Sequence, residues 1–281
     1  MPLDSSIYTL GLLRIDGRCW KDLRHLNAQI HTQASADGSA YFEMGNTKVM
    51  CVINGPNEEG RQRRGGQASS SGAATGGGGS LGSTGNAEIL VSIDVGGFST
   101  VDRKKRARSD KRIQELQTTI ANAFSTVLHT HLFPRSSISI SLYVLSQDGS
   151  LLACLINAAT LALIDAGINI NDYLVACTGG STSSHSAADD SADPIVDLNG
   201  QEEQELPFLT VATLGATDKV IVLVCESRVQ ISRLEGMMVA AADGCKKIRE
   251  YLDSKVRERG DRMVKEGAVA KGASMALDIE A

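Results

Sequence analysis

The sequence lacks several features that would mark a specialised class of protein. Its six cysteines are scattered, with no CxxC pair and no histidine at zinc-site spacing. No apolar run approaches the length of a membrane span, and no apolar stretch follows a basic N-terminal start. These absences argue against a disulfide scaffold, a zinc module and a membrane protein. Five of the six thiols lie in apolar surroundings and are predicted to be reduced and buried.

The composition is that of an ordinary globular protein, but its charge is unevenly distributed. The 281 residues are 42% hydrophobic and 22% charged, which is enough to bury a substantial core. The net charge of −5 hides an acidic stretch from Asp189 to Glu205 and a basic cluster in the middle of the chain. The basic cluster comprises Arg103, Lys104, Lys105, Arg106, Arg108, Lys111 and Arg112. A smaller basic patch comprises Arg61, Arg63 and Arg64.

Three segments are predicted to lie outside the regular structure. A flexible glycine- and serine-rich insertion covers residues 65–86, and the strands on either side of it are expected to be neighbours in one sheet. A second loop, rich in serine and aspartate, covers residues 181–193. Residues 261–281 are predicted to form a frayed tail, which leaves one domain over residues 1–260.

The remaining patterns alternate between strands and helices and favour a layered α/β or α+β domain. Ser137 to Leu145 alternates apolar and polar residues as a strand does, and Ser150 to Ala166 is apolar nearly all round, as a buried helix is. An amphipathic helix follows Ser109 or Asp110. Its first turn carries cations, which is unusual, so its N-terminal N–H groups are a candidate anion site.

An ordered set of sequence blocks resembles the RNase PH family, in the form that corresponds to the active subunit of the archaeal exosome. The blocks are RIDGR at 14–18, GNTKV at 45–49, RIQELQ at 112–117, VLSQDG at 144–149, NAATLALIDAGI at 157–168 and DLN at 197–199. The resemblance implies an α+β RNase PH-like fold in a single domain. That fold has two ββαβα-type halves whose mixed sheets pack against helices.

The resemblance also implies a partly lost phosphorolytic site. Active relatives hold phosphate with two arginines and hold a divalent ion with two acidic side chains. Arg112 matches the first arginine, whereas Leu151 stands at the second, where it offers no charge and no donor. Glu203 matches the first acid, and the second falls at Pro207 or Phe208. The sequence therefore predicts no catalytic residue, no metal and no cofactor.

The leading hypothesis is a non-catalytic, RNA-binding structural subunit of the RNA exosome ring. The resemblance implies other RNase PH-like ring subunits, S1/KH-type cap proteins, a hydrolytic exoribonuclease and single-stranded RNA as partners. The expected processes are ribosomal RNA maturation and RNA decay in nucleus, nucleolus and cytoplasm. Two alternatives remain open: an active phosphate-dependent 3′-to-5′ exoribonuclease, and a scaffold that does not touch RNA.

Other chemistry-bearing residues have simpler interpretations. Asp148 precedes the buried helix and is predicted to be its N-cap rather than an acid or base. Glu202, Glu203 and Glu205 are predicted to form a solvated acidic loop. The histidines 129 and 131 lie at a helix end, where histidine commonly caps carbonyls, and no role is assigned to them.

Overall fold

The computed structural model describes residues 14, 16–57, 86–100, 103, 110–182, 193–215, 217 and 219–277, with side chains through residue 267. Nearly all of the predicted insertion and most of the serine- and aspartate-rich loop lie outside these residues. Nine strands and four α-helices are described. They are β1 (Leu26–Ile30), β2 (Gly38–Met44), β3 (Thr47–Asn57), β4 (Glu88–Val95), α1 (Lys111–Val127), β5 (Ser137–Ser146), α2 (Leu151–Asp165), β6 (Leu174–Ser181), β7 (Pro194–Val196), α3 (Gly200–Glu205), β8 (Phe208–Leu214), β9 (Val220–Cys225) and α4 (Ile231–Leu277).

The first half of the chain forms a five-stranded mixed sheet in the order β1-β2-β3-β5-β4. Only the β4–β5 pair is parallel. The alternation in β5 has the predicted consequence, because Ile138, Ile140 and Leu142 are fully buried while the intervening serines are partly exposed. The strands that flank the insertion, β3 and β4, share this sheet but are not neighbours. β5 separates them, which corrects the sequence-based expectation.

Helix α2 lies across this sheet and is buried along most of its length. Its polar residues bond to neighbouring backbone. The Asn157 amide exchanges two hydrogen bonds of 2.9 Å with the backbone N–H and carbonyl of Ala176, and the Thr160 hydroxyl donates to the Leu174 carbonyl at 2.7 Å. These side chains take the place of a neighbouring strand along part of β6, so the buried polar groups are satisfied.

The second half forms an antiparallel sheet in the order β7-β6-β8-β9, covered by α4. One continuous apolar core joins both sheets to α1, α2 and α4, which confirms the predicted α+β fold in a single domain. No helix in the described part of the chain is long and apolar enough to cross a membrane.

Two expectations about individual segments are corrected. Helix α4 continues through Leu277, so residues 261–277 are helical rather than frayed. Good helix formers dominate this stretch, and ion pairs such as Arg262 with Glu258 stabilise the exposed turns before it. Cys225 is exposed at the end of β9, so four thiols rather than five are buried.

Candidate active-site cleft

One cleft brings together the segments that the sequence analysis marked for chemistry. Its volume is about 630 Å³, and it lies where β5 ends, α1 begins and α3 crosses between β7 and β8. The lining residues are Thr100, Arg112, Gln147, Asp148, Gly149, Gly200, Gln201, Glu203, Gln204, Phe208 and Glu226. They come from both halves of the chain, so the cleft exists only when the two sheets are packed together.

Arg112 enters the cleft from the first turn of α1. Its side chain is 63% exposed, and its Nη2 lies 3.5 Å from the Glu226 carboxylate beyond β9. Asp110 is the N-cap, and its side chain accepts the Arg112 backbone N–H at 3.2 Å. Helix α1 thus begins where the sequence predicted. However, its N-terminus is not a set of free donors, because Asp110 provides the anion that this helix end favours.

The turn from β5 into α2 forms the floor of the cleft. Gly149 and Ser150 both have positive φ, at 76° and 52°, and Ser150 is the N-cap residue of α2. Asp148 is therefore not the N-cap of this helix, as the sequence had predicted. Its carboxylate instead accepts the Asn46 amide at 2.9 Å and the Gly200 N–H at 3.1 Å. It ties the β5–α2 turn to the start of α3.

Glu203 supplies a carboxylate at the N-terminus of α2. It accepts the backbone N–H of Ser150 at 2.5 Å. Burial raises the pKa of Glu203, whereas the hydrogen bond from Ser150 and the positive charges of Arg24 and Arg112 lower it. Burial has the larger effect, and the pKa is raised to about 7. A carboxylate of the protein itself is thus bonded to a backbone N–H of the kind that binds anions at helix N-termini.

The predicted solvated acidic loop is instead a short helix, α3, whose acids have different environments. Glu202 is fully buried and pairs with the guanidinium of Arg14, 188 positions earlier in the chain. It also accepts the backbone N–H of Asn199 and completes a capping box. Glu202 and Glu203 are therefore fixed parts of the structure rather than solvated remnants.

Beneath the turn lies a buried charge network that the sequence analysis did not assign. Asp197 is fully buried and accepts hydrogen bonds from the Arg24 guanidinium and the Ser150 hydroxyl, the shortest at 2.7 Å from Arg24 Nη2. Burial raises the pKa of Asp197, but the charge and hydrogen bonds of Arg24 outweigh it, so the pKa is lowered. Arg24 also donates to the Asp148 carbonyl at 2.5 Å. The network holds both sides of the cleft floor.

The chain is similar to known proteins over most of its length. The RNase PH family model, described as the 3′ exoribonuclease family, domain 1, matches residues 22–169. Exosome complex component ski6 of Schizosaccharomyces pombe is 38% identical over 90% of this chain and 94% of its own length. The chain belongs to the RNase PH family. The exosome complex component RRP41 homolog of Arabidopsis thaliana is 35% identical over 88% of this chain and 92% of its own length.

Solved structures agree with this family at the level of the fold. A crystal structure of rice (Oryza sativa) Rrp46 superposes with a TM-score of 0.68 at 22% identity, covering 87% of this chain and all of that one. The Archaeoglobus fulgidus exosome, solved with RNA bound to the active site, gives 0.64 at 17% identity, covering 85% of this chain and 92% of that one.

The residues to which the resemblance assigned the phosphate and metal positions do not all line the cleft. Leu151 packs against the apolar core and does not line the cleft. Phe208, which does line it, carries no oxygen ligand, and the Glu203 carboxylate is engaged by Ser150. These side chains do not fit a divalent ion held by two acids. In the described ranges, no group of three His, Cys, Asp or Glu side chains is arranged to hold a metal.

The predicted nucleic-acid-binding residues are only partly described. Lys111 is exposed in the first turn of α1 beside Arg112, and Arg103 is exposed, with its backbone N–H bonded to the Thr100 carbonyl at 3.0 Å. The other predicted residues, Lys104, Lys105, Arg106, Arg108, Arg61, Arg63 and Arg64, lie outside the described residues. Their role in binding remains a prediction.

Proposed function

We propose that this chain is a non-catalytic, RNA-binding structural subunit of an RNA exosome ring. Its relatives in yeasts, a nematode, a plant and mammals are named as exosome components, and they match over most of its length. Ring partners of the RNase PH type follow from that likeness. The proposal also includes two further kinds of partner, cap proteins of the S1/KH type and an associated hydrolytic nuclease. The processes proposed are rRNA processing and RNA decay, in nucleus, nucleolus and cytoplasm.

The observation that carries the non-catalytic assignment is the hydrogen bond between the Glu203 carboxylate and the Ser150 N–H. Phosphorolysis requires an inorganic phosphate beside the phosphate of RNA, and both need donors. Here the donor at the start of α2 already serves a carboxylate. An incoming phosphate would have to displace this carboxyl group from the Ser150 N–H before it could use the same donor.

The charges around the cleft also support the non-catalytic assignment. Among the described lining residues, Arg112 is the one cation, and it faces the carboxylates of Asp148, Glu203 and Glu226. Leu151 supplies no second cation. Loss of a single donor in an active site typically costs about 2.7 to 4 kcal/mol of transition-state stabilisation. Removal of an arginine from a site that already carries net negative charge is expected to cost at least as much.

The RNA-binding assignment rests on how the basic cluster is anchored. Thr100, which precedes the basic cluster, and Arg112, its last member, both line the cleft. Seven cations in ten residues suit a phosphate backbone contacted without sequence preference. We propose that RNA passes along this side of the subunit without being cleaved by it.

The catalytic part is tested with the ring reconstituted from this chain and its partner subunits. A 3′-labelled single-stranded RNA is incubated with inorganic phosphate, and release of nucleoside diphosphate is measured. We expect no more release than from a ring that carries Arg112→Ala. Phosphate-dependent release that disappears in the Arg112→Ala ring would establish an active phosphorolytic exoribonuclease instead.

The RNA-binding part is tested by charge reversal. A variant with Lys111→Glu and Arg112→Glu is compared with Lys219→Glu, which changes an exposed cation at the opposite end of the β8–β9 hairpin. We expect the double variant to bind single-stranded RNA more weakly. Its slope of log Kd against log salt should fall by roughly 0.7 for each lost phosphate contact. An unchanged slope in the double variant would favour a scaffold that does not touch RNA.

A further inference from the structure

Among the described residues, β1 is an edge strand of the five-stranded sheet. This strand pairs only with β2, in antiparallel register. The Gly45 N–H donates to the His25 carbonyl at 2.8 Å, and the His31 N–H donates to the Ser39 carbonyl at 2.7 Å. Odd-numbered residues of β1 therefore bond to β2, so the N–H and carbonyl groups of Leu26, Ala28 and Ile30 face away from it. In the described residues no other strand pairs with that side.

Helix α4 forms a wall beside this edge. The groove between them, here called the β1–α4 groove, has a volume of about 370 Å³. It is lined by residues 27–32 and by Lys255, Glu258, Arg259 and Arg262.

The cations that α4 contributes to the groove differ in whether they have a carboxylate partner. Glu258 bonds to Lys255 at 3.0 Å and also to Arg262. Arg259 has no carboxylate partner among the described residues, and its Nε is buried without a hydrogen-bond acceptor. The groove thus combines unpaired strand backbone with an unpaired, partly buried guanidinium.

We propose that the β1–α4 groove binds an extended acidic segment of a protein partner, which adds as a strand to β1 and places a carboxylate on Arg259. An exposed strand edge accepts a peptide through alternating donors and acceptors. A carboxylate offers the planar, bidentate acceptor that a guanidinium fits.

The spacing of the groove specifies the pattern of the segment. Lys255 and Arg259 are four residues apart on α4, which is a rise of about 6 Å. Alternate residues of a strand are roughly 6.6 Å apart and point to the same side. If the partner strand runs along α4, an acid at every second position would meet successive cations of the helix. The five residues of β1 pair with a segment of about the same length.

Chemistry favours a peptide over RNA in this groove. The outward edge of β1 presents N–H donors and carbonyl acceptors in alternation, whereas the phosphate groups of RNA are acceptors only. The carboxylate of Glu258 lies within the groove and opposes any anionic ligand. An acidic peptide meets the same carboxylate, so the backbone pattern of β1 rather than charge is what favours a peptide.

The test uses the full-length chain and a fluorescein-labelled eight-residue peptide of alternating glutamate and valine, followed by fluorescence anisotropy. Arg259→Glu is expected to weaken binding at least about tenfold. Arg257→Glu is the matched control, because it makes the same charge change on an exposed residue of α4 that pairs with Asp253 outside the groove. It should change the affinity less than roughly twofold.

Two further arms separate strand pairing from simple charge attraction. A peptide N-methylated at alternate positions keeps its charge but loses the N–H donors needed at β1, and it should bind at least about tenfold more weakly. Equal binding of the methylated peptide, or equal loss in both arginine variants, would overturn the proposal. Competition by a single-stranded RNA oligonucleotide that depends on Arg259 would overturn it in favour of a nucleic-acid site.

Discussion

Replacement of Arg24 by methionine tests the buried network beneath the cleft most directly. The guanidinium of Arg24 makes contacts of 2.7 to 3.0 Å with the Asp197 carboxylate, and both side chains are almost completely buried. Methionine keeps most of the aliphatic volume and removes the charge. Asp197 would retain the Arg24 backbone N–H and the Ser150 hydroxyl, but its remaining cation, Arg18, lies 4.0 Å away.

Breaking such a pair from one side typically costs about 3 to 5 kcal/mol, because it leaves a buried charge without its counter-ion. We expect a loss of this size in the free energy of unfolding. Urea unfolding of the full-length chain at pH 7 measures it, followed by the fluorescence of the single tryptophan, Trp20. The backbone carbonyl of Trp20 accepts the Val196 N–H at 3.0 Å, so the probe is attached to the same region.

The matched control is Arg257→Met, which removes an exposed guanidinium paired with Asp253 at 2.9 Å and should cost less than about 0.5 kcal/mol. A second variant checks the cause. Asp197→Asn in the Arg24→Met background removes the uncompensated charge, and asparagine tolerates the positive φ at this position. The double variant should therefore be more stable than Arg24→Met alone. Equal losses in the two arginine variants would refute the reasoning, as would a double variant that is less stable still.

The pH dependence of this pair has a defined sign. Because the folded-state pKa of Asp197 is lowered, the pair stabilises the protein above the unfolded-state value of about 3.9. That contribution is lost as the pH falls below this value. The difference in unfolding free energy between the parent chain and the Arg24→Met variant should accordingly shrink in acid.

Three further predictions address other parts of the fold. The pKa of Glu203 is raised to about 7, so the folded protein binds this proton more tightly than the unfolded chain, and stability falls between about pH 4.5 and 7. Urea titrations from pH 5 to 8 should show Glu203→Gln gaining stability relative to the parent, and parallel profiles would contradict this. Gly38→Ala should destabilise by about 1 to 3 kcal/mol, because its Cβ would lie 2.4 Å from a carbonyl of α2, whereas Gly97→Ala meets nothing within 4 Å. Thermal or urea unfolding of both variants distinguishes overpacking from a general loss of glycine. In the native protein, Cys19 and Cys225 should react quickly with a thiol reagent and the other four cysteines only after unfolding, so rapid labelling of more than two thiols would show that the core opens.

The elements of the fold could be predicted well because their signals are local. The serine–isoleucine alternation of β5 and the helical period of α1 report directly which face of each element is buried. The start of α1 was predicted at Ser109 or Asp110 for the same reason, since an N-cap acts within its own turn, and Asp110 is the N-cap. Strand order was not predictable in this way. β5 separates β3 from β4, although β3 and β4 are consecutive along the chain.

For the candidate site, too, the local features could be predicted from the sequence and the long-range contacts could not. The sequence by itself determined the family, the position of Arg112 at a helix start and the absence of charge at Leu151, because these depend on residue identity and short spacing. Only the tertiary structure decided that Glu203 bonds to Ser150, 53 positions away, and that Glu202 is buried against Arg14. The sequence alone does not distinguish a carboxylate that is solvated from one that is paired or bonded to a helix N-terminus. Its protonation and its role are set by the groups that folding brings around it.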